Sequence, residues 1–252
     1  MATVALGANA RAATPTVSAN GRALEAPVVQ NGTTYVPLTE LLAVFSEEDV
    51  RWNSAQRTAT AKTEFFVLSV PVGEAFVLAD EAVWHLASPS FIHNGRTYVP
   101  LRSLAALLGG SVNFTGWDNP IIVSTDNAIS FTEDDLYWLS RIISAESRGE
   151  SLLGQVAVGN VVLNRVASSE FPGSIYGVVF DRKDAVQFEP VANGTVHHTP
   201  TPQSTLAARL VLNGTQVVDD CLYFFNPSLS QGKWIRENRS YYATIGCHSF
   251  YR

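Results

Sequence analysis

Glu146 is the side chain whose place in the sequence most strongly indicates acid–base chemistry. It ends an apolar stripe at helical spacing made of Leu136, Leu139, Ile142 and Ile143. Burial raises the pKa of a carboxyl group, and so does the negative end of a helix dipole. Such a glutamate stays protonated near neutral pH and donates a proton as a general acid. The alternative is a structural glutamate that Arg148 or Arg165 neutralises.

The C-terminal segment 221–252 has the composition of a sugar-binding cleft. It is dense in tyrosine, phenylalanine and tryptophan, with asparagine and histidine between them. Flat aromatic faces stack on pyranose rings, and amides hydrogen-bond to hydroxyl and N-acetyl groups. The alternative for the same composition is an aromatic core with polar tips.

Three predicted helices position these side chains. The first opens at Thr132 with a capping-box pattern and stops at Arg148-Gly149. The second, 151–168, is apolar nearly all round and is therefore predicted to be central. The third, 202–213, lies between a capping threonine and a terminal glycine. Asn160 and Asn164 on the second helix either orient Glu146 or satisfy buried backbone groups.

The first half contains one unit twice. Residues 31–38 read NGTTYVPL and residues 94–101 read NGRTYVPL. Each copy continues with a helical run and then a hairpin pattern. Asn-Gly favours a tight hairpin turn, and Pro37 and Pro100 are predicted in the first turn of each helix. The fold class is therefore α+β: a β-rich repeat module followed by a mainly helical domain.

Composition narrows the choice of partners and compartment. The 252 residues carry a net charge of −6, divided equally between the halves, so a phosphate surface and a nucleic acid partner are not expected. Since no apolar run approaches the ~18–20 residues of a membrane helix, no transmembrane segment is predicted either. Residues 1–15 resemble the end of a secretory signal, which predicts export and a residual or disordered start.

The chain has two cysteines, Cys221 and Cys247. Their spacing fits neither a redox motif nor a zinc knuckle. One disulfide and two free thiols both remain open from the residues alone.

The second half resembles the spore cortex-lytic cell-wall hydrolase family of germinating bacteria, over about residues 132–252. The resemblance rests on motifs that occur in order, AESRGE, GQVAVGNVVLNRV, FP, GVVF, QFEPVANG, LYFFNP and IG-x-H-x-FY. It implies a lysozyme-like catalytic domain acting on peptidoglycan glycan strands. The protein would be secreted to the cell wall or spore cortex and would need no cofactor or metal.

The resemblance also implies the reaction. Glu146 falls on the catalytic acid of the family and would cleave the bond from N-acetylmuramate to N-acetylglucosamine by lytic transglycosylation. A single carboxylate suffices, because the muramoyl C6 hydroxyl is the nucleophile. A hydrolase would use a second one, for which the candidates are Glu150, Asp181, Asp184 and Glu189.

The family motifs supply the remaining site residues. The implied substrate-binding residues are Glu150, Gln187, Phe188, Tyr223, Asn226 and His248. Glu150 is expected near the helix junction in a structural or orienting role, and Phe188 also fits a core position. Cys221 and Cys247 depart together from the family pattern, which favours an intramolecular disulfide.

The repeats, over roughly residues 16–125, resemble the N-terminal domain of copper amine oxidases. This resemblance implies an accessory or wall-attachment domain. It does not imply copper, because the half has only His85 and His93 and no cluster of partners.

Two other functions compete with glycan cleavage. One is an N-acetylmuramoyl-L-alanine amidase, which generally needs zinc or a cysteine nucleophile. The other is a non-catalytic wall-binding protein whose lysozyme-like domain is inactive.

Overall fold

The computed structural model describes residues 15–45, 49–116, 120–125, 129–183 and 187–252. The signal-like segment, apart from its last residue, and the candidate carboxylate Asp184 lie outside these ranges. Among the helices described, not one is both long and apolar enough to cross a membrane.

The first half is built from short strands and two short helices. These are β1 (Val17–Ala19), β2 (Arg22–Ala23), β3 (Val28–Gln30), β4 (Thr33–Pro37), α1 (Leu38–Val44), β5 (Val50–Asn53), β6 (Thr58–Lys62), β7 (Val67–Pro71), β8 (Phe76–Ala79), β9 (Ala82–His85), β10 (Phe91–His93), β11 (Arg96–Pro100), α2 (Leu101–Leu107), β12 (Ser111–Asn113) and β13 (Ile121–Ser124).

The second half is mainly helical. It contains α3 (Glu133–Ser147), α4 (Leu152–Ala167), α5 (Ile175–Val179), α6 (Glu189–Asn193), a 3₁₀ turn (Thr195–His197), α7 (Pro202–Leu212), β14 (Tyr223–Phe225), α8 (Lys233–Asn238), β15 (Tyr241–Ile245) and β16 (His248–Tyr251). The α+β class predicted from the sequence is confirmed.

The two sequence repeats pair with each other about an approximate two-fold axis. Strands β4 and β11 are antiparallel, and Val36 lies opposite Val99, its own equivalent 63 residues later. The Asn-Gly pairs at 31–32 and 94–95 have positive φ, as a tight hairpin turn requires. Sheet β10-β11-β4-β3 therefore joins both copies at its centre.

The prediction that Pro37 and Pro100 occupy the first helical turn is wrong by one residue. Each proline is the N-cap and the last residue of its strand, and each pairs across the sheet with a tyrosine of the other repeat. Since the ψ angles of 135° and 116° are extended, the helices begin at the following leucines.

The hairpins that follow the helices lie in different sheets. The first extends into the meander β5-β6-β7-β8-β9, and the second joins the sheet β12-β13-β1-β2, in which β1 is parallel to β13. The two copies of the repeat unit therefore have different neighbouring strands.

Helices α3, α4 and α7 pack against one another and form the core of the second half. A Cβ at Gly159 would lie 2.8 Å from Ile143 of α3 and 2.9 Å from Val211 of α7, so this glycine sets the closeness of the three helices. The capping box of Thr132 with Asp135 and the cap of Thr201 are both present, and α4 is central, as predicted.

The two asparagines of α4 satisfy backbone groups. Asn160 donates to the carbonyl of Thr215 at 2.8 Å and accepts from the N–H of Val217 at 2.8 Å. The Asn164 amide donates to the carbonyls of Asp219 and Cys221. The alternative that they orient Glu146 is wrong, because both side chains hold the loop after α7.

The expected disulfide is also wrong, since both cysteines are free thiols. They lie at opposite ends of the sheet β14-β16-β15: Cys221 precedes β14 and Cys247 precedes β16, its antiparallel partner. From the strand register their separation is roughly 20 Å, whereas a disulfide needs Cα atoms within about 7 Å. Cys221 is buried, and burial raises the pKa of its thiol to about 11.

The role of Asn160 leads to a stability prediction. Asn160→Ala leaves the buried carbonyl of Thr215 and the partly buried N–H of Val217 unpaired, so the free energy of unfolding should fall by about 2–4 kcal/mol. Urea denaturation followed by circular dichroism measures it. The matched control is Asn238→Ala, since that exposed amide also bonds one carbonyl, that of Trp234. Equal loss in both variants would contradict the assignment.

Candidate active site

Glu146 lies at the C-terminal end of α3 and is partly buried. Burial raises the pKa of its carboxyl group from the ordinary 4.5 to about 7; the negative charge of Glu189 adds to this rise and the positive charge of Arg165 opposes it. The group is therefore largely protonated in mildly acidic solution and ionises near neutral pH. That is the titration a group needs when it must first give a proton and then take one.

Two depressions meet at Glu146. Each has a cavity volume of about 380 Å³. The residues they share are Ala145, Glu146, Arg148, Glu189 and Leu229. An extended ligand lying through both would therefore pass the carboxyl group in the middle of its length.

Glu189 is the carboxylate that shares both depressions with Glu146. It is the first residue of α6, directly after Phe188. Among the second-carboxylate candidates that the structure describes, it is the one that lines both depressions with Glu146, whereas Glu150 lines one of them. Asp181 lines neither of these depressions and acts on Arg165 through its charge.

Arg165 is a buried cation facing the same cleft. Its Nε donates to the carbonyl of Leu222 at 2.8 Å, and the guanidinium carbon lies 4.9–5.6 Å from the ring centres of Phe171, Phe188 and Tyr223. Burial lowers the pKa of Arg165 to about 10, so it remains charged at neutral pH. Its buried Nη1 has no hydrogen-bond partner among the described residues, so both N–H groups of that atom are unpaired there.

Glu150 ties the helix junction to the turn between β15 and β16. Its Oε2 accepts from the N–H of Cys247 at 3.2 Å, and its Oε1 lies 3.8 Å from Nδ1 of His248. Gly246 has φ +58°, and a Cβ there would collide with the Glu150 carboxylate. Glu150 lines one depression, and its contacts agree with the expected orienting role.

His248 is buried against the rings of Phe224 and Phe250. Burial lowers its pKa, while the nearby Glu150 opposes that shift. The imidazole is therefore mostly neutral at neutral pH, and it lines the same depression as Glu150.

The other expected binding residues fall into two groups, because three of them line the cleft and one does not. Gln187, Phe188 and Asn226 line the depression beside Glu150, although Phe188 is buried as a core residue would be. Tyr223 does not line either depression. Its hydroxyl accepts a 2.7 Å hydrogen bond from Arg239, and its ring contributes to the surroundings of Arg165.

The other depression was not predicted from the sequence. It adds the side chains of Arg141, Ser144, Pro190, Asn193, Thr195, His198 and Thr199. Arg141 and Ser144 lie on the same helix as Glu146, but five and two residues before it, and neither spacing places a side chain on the Glu146 face. Asn193 belongs to the QFEPVANG motif, but residues 195–199 carry no signal, because only the packing of α6 and the 3₁₀ turn against α3 brings them close.

Within the described ranges, no three histidine, cysteine, aspartate or glutamate side chains come together as metal ligands. The adjacent histidines point to different surroundings: His198 lines the cleft, and His197 packs on Trp138 with ring centres 5.9 Å apart.

Each half of the chain matches a known protein family. Residues 149–251 match the cell wall hydrolase family. The chain carries a cell wall hydrolase domain. Residues 18–123 match the copper amine oxidase N-terminal domain, so both resemblances seen in the sequence are confirmed. The hydrolase match begins just after Glu146, and the role of that residue therefore rests on the geometry above.

The relatives of the cell wall hydrolase domain are spore cortex-lytic enzymes. That of Bacillus cereus is 38% identical over 120 residues, which cover 48% of this chain and 45% of the relative. That of Halalkalibacterium halodurans is 33% identical over 127 residues, covering 50% of this chain and 37% of the relative. The chain thus spans less than half the length of these two relatives.

One solved structure similar to this domain is the catalytic domain of the germination-specific lytic transglycosylase SleB from Bacillus anthracis. It is 36% identical, with a TM-score of 0.45, and the match covers 49% of this chain and 98% of that one.

The raised pKa of Glu146 predicts a pH-dependent cost to stability. The unfolded chain ionises this group near pH 4.5 and the folded chain near pH 7, so folding loses stability as the pH rises through that window. Glu146→Gln removes the cost. As the pH rises from 4 to 8, the free energy of unfolding of the variant should increase relative to that of the parent by on the order of 2–3 kcal/mol.

Thermal unfolding of the parent and of the Glu146→Gln variant across that pH range measures this difference in stability. The control is Glu237→Gln, because that exposed carboxylate has only a 4.0 Å ion pair with Lys233. A difference in Tm between the Glu146→Gln variant and the parent that does not change with pH would refute the burial argument.

Proposed function

We propose that this chain degrades peptidoglycan by cleaving the bond from N-acetylmuramate to N-acetylglucosamine as a lytic transglycosylase. One observation carries the proposal: the carboxyl group of Glu146, with its pKa raised to about 7, stands where two depressions meet. The site of this cell wall hydrolase domain therefore offers an acid with a depression on either side, so that a glycan strand lying through both would pass it. The names of the relatives point to the same class of substrate.

In the first step Glu146 acts as the acid. It gives its proton to the glycosidic oxygen, so the bond from muramoyl C1 to that oxygen breaks and the N-acetylglucosamine hydroxyl leaves. The ring develops oxocarbenium character, and Glu146 is now a carboxylate.

In the second step Glu146 acts as the base. It takes the proton of the muramoyl C6 hydroxyl as that oxygen bonds to C1, which closes a 1,6-anhydro ring. The proton given in the first step is thereby recovered and no water is consumed. Arg165 favours the intermediate carboxylate, because its buried positive charge stabilises the ionised form of Glu146.

The place of action follows from the substrate. Peptidoglycan lies outside the membrane, so we propose that the protein is exported and works in the cell wall or the spore cortex. The first half would be an accessory domain that holds the chain on this polymer.

A second outcome, hydrolysis of the same bond, is favoured by Glu189. It is a carboxylate in both depressions, within range to affect the charge of Glu146. In a hydrolase it would activate water or form a covalent intermediate. In the transglycosylase it only raises the pKa of the acid.

The first test is Glu146→Gln, which keeps the shape of the side chain and removes its proton transfer. Lysis of purified peptidoglycan, followed as loss of turbidity, should fall by at least about 10³-fold. The control is Glu133→Gln at the opposite end of the same helix, which should lyse normally. Full activity in the Glu146→Gln variant would refute the role of Glu146.

Mass spectrometry of the products separates the chemistries. A muramoyl end lighter by one water than the hydrolytic product supports transglycosylation, and an end that has gained water supports hydrolysis. A free amino terminus on the peptides, with intact glycan, supports an amidase instead.

The second test concerns the pH profile of Glu189→Gln. Activity needs protonated Glu146, so in the parent it should fall as the pH rises through about 7. Removing the negative charge of Glu189 lowers the pKa of Glu146, and the alkaline limb should move to lower pH with activity preserved below it. Loss of activity at every pH would show that Glu189 takes part directly, as in a hydrolase.

A further inference from the structure

The repeat domain contains the same surface depression twice. The residues of the first include Leu38, Trp52 and Ala59 of one repeat, with Gly95, Arg96 and Thr97 of the other. The residues of the second include Leu101, Phe114 and Ile121, with Gly32, Thr33 and Thr34. Each member of one set has its repeat equivalent in the other, 62 or 63 residues away in the sequence.

The pseudo-two-fold pairing of β4 with β11 explains this duplication. It places the strand after each Asn-Gly turn beside the helix start and hairpin of the other repeat. Each depression is therefore built from both repeats, and neither repeat forms one alone. Both are open depressions of the surface, with cavity volumes of about 380 and 220 Å³.

An aromatic ring is exposed at the same position in both. Trp52 is 48% exposed and Phe114 is 41% exposed, whereas Trp84 in the core of the same domain is 2% exposed. In the cross-strand register Trp52 lies opposite Ala59; Phe114 directly follows the pair Asn113 and Ile122, and it lines its depression together with Ile121. A single exposed ring needs no explanation, but a ring exposed at equivalent positions of two diverged repeats indicates a retained surface.

The polar groups around the rings are neutral or positive. Arg96 lies in the first depression and Arg102 in the second, at positions that are not equivalent in the repeats; both are exposed, Arg96 has a 3.7 Å ion pair with Glu25, and Arg102 donates to the carbonyl of Val112. Threonine hydroxyls accompany the arginines, and the described residues that line these depressions include no aspartate or glutamate.

We infer that the two depressions are equivalent binding sites for peptidoglycan, in which Trp52 and Phe114 stack on sugar rings and Arg96 and Arg102 meet carboxylates of the stem peptides. The apolar face of a pyranose matches a flat ring, and threonine hydroxyls match its hydroxyl groups. The acidic stem peptides are opposite in charge to the arginines, and no described lining residue is acidic and would repel them. The choice of ligand rests on the proposed function.

Two sites within one domain would also help an acidic chain to stay on its polymer. Binding at the second site is intramolecular once the first is occupied, so two sites of modest affinity together hold the polymer more tightly than either site alone. The catalytic domain would then meet glycan at a high local concentration.

The test uses the full chain carrying Glu146→Gln, so that the polymer is not digested. Its binding to insoluble purified peptidoglycan is measured by pelleting over a range of polymer concentrations. In this background Trp52→Ala and Phe114→Ala should each weaken the association by about 3–10-fold, and the double variant by more than either. Trp52→Phe keeps a stacking ring and should retain most of the binding.

The matched control is Val67→Ala, since Val67 is an exposed apolar residue of the same domain outside both depressions. It should bind as the parent does, and circular dichroism should show all the variants folded. A folded double alanine variant with unchanged binding would overturn the inference, and so would equal losses in Trp52→Phe and Trp52→Ala.

This result is independent of the proposed reaction. With Glu146 intact, the double alanine variant should still cleave short soluble glycan fragments at the parent rate. Loss of pelleting with cleavage preserved supports the two sites. Absence of glycan cleavage in the parent would count against the proposed function, while the pelleting comparison would still decide the binding sites.

Discussion

The partial removal of one carboxyl group from water is the constraint around which the second half is organised. Glu146 ends a helix whose apolar side packs into the core, and the close approach of α3, α4 and α7 at Gly159 fixes where that end lies. A carboxyl group in this position has a pKa of about 7 instead of the ordinary 4.5, since burial disfavours its charged form. The same burial costs stability, and proteins commonly accept such a cost at a functional site.

The surroundings of Glu146 balance two opposite charges. Glu189 makes ionisation harder and Arg165 makes it easier, and both lie on segments distant in sequence from the helix that carries Glu146. Arg165 keeps its charge while buried, because a backbone carbonyl and three aromatic rings surround the guanidinium. Glu150 and His248 form a further layer that ties the helix junction to the sheet β14-β16-β15, so the wall of the cleft is fixed relative to the acid.

The first half is organised by a different constraint, the pairing of a strand with its own repeat. Antiparallel pairing of Val36 with Val99 generates the approximate two-fold axis, and any surface formed at one interface of the repeats is formed again at the other. The hairpins then enter different sheets, so the two depressions share a plan while their rings and arginines differ.

The sequence by itself determined the features that depend on neighbours within a few residues. The Asn-Gly turns, the caps at Thr132 and Thr201, the central helix α4 and the apolar stripe ending at Glu146 all follow from local geometry and periodicity. The ordered motifs added the family, and with it the residues Gln187, Asn226 and His248 that line the cleft. Only the tertiary structure decided which charged groups face Glu146, that Tyr223 supports Arg165 instead of lining the cleft, and that Cys221 and Cys247 stand at opposite ends of a sheet. These are distances between segments far apart in the chain, and such distances are set by how helices and strands pack together, which local spacing does not encode.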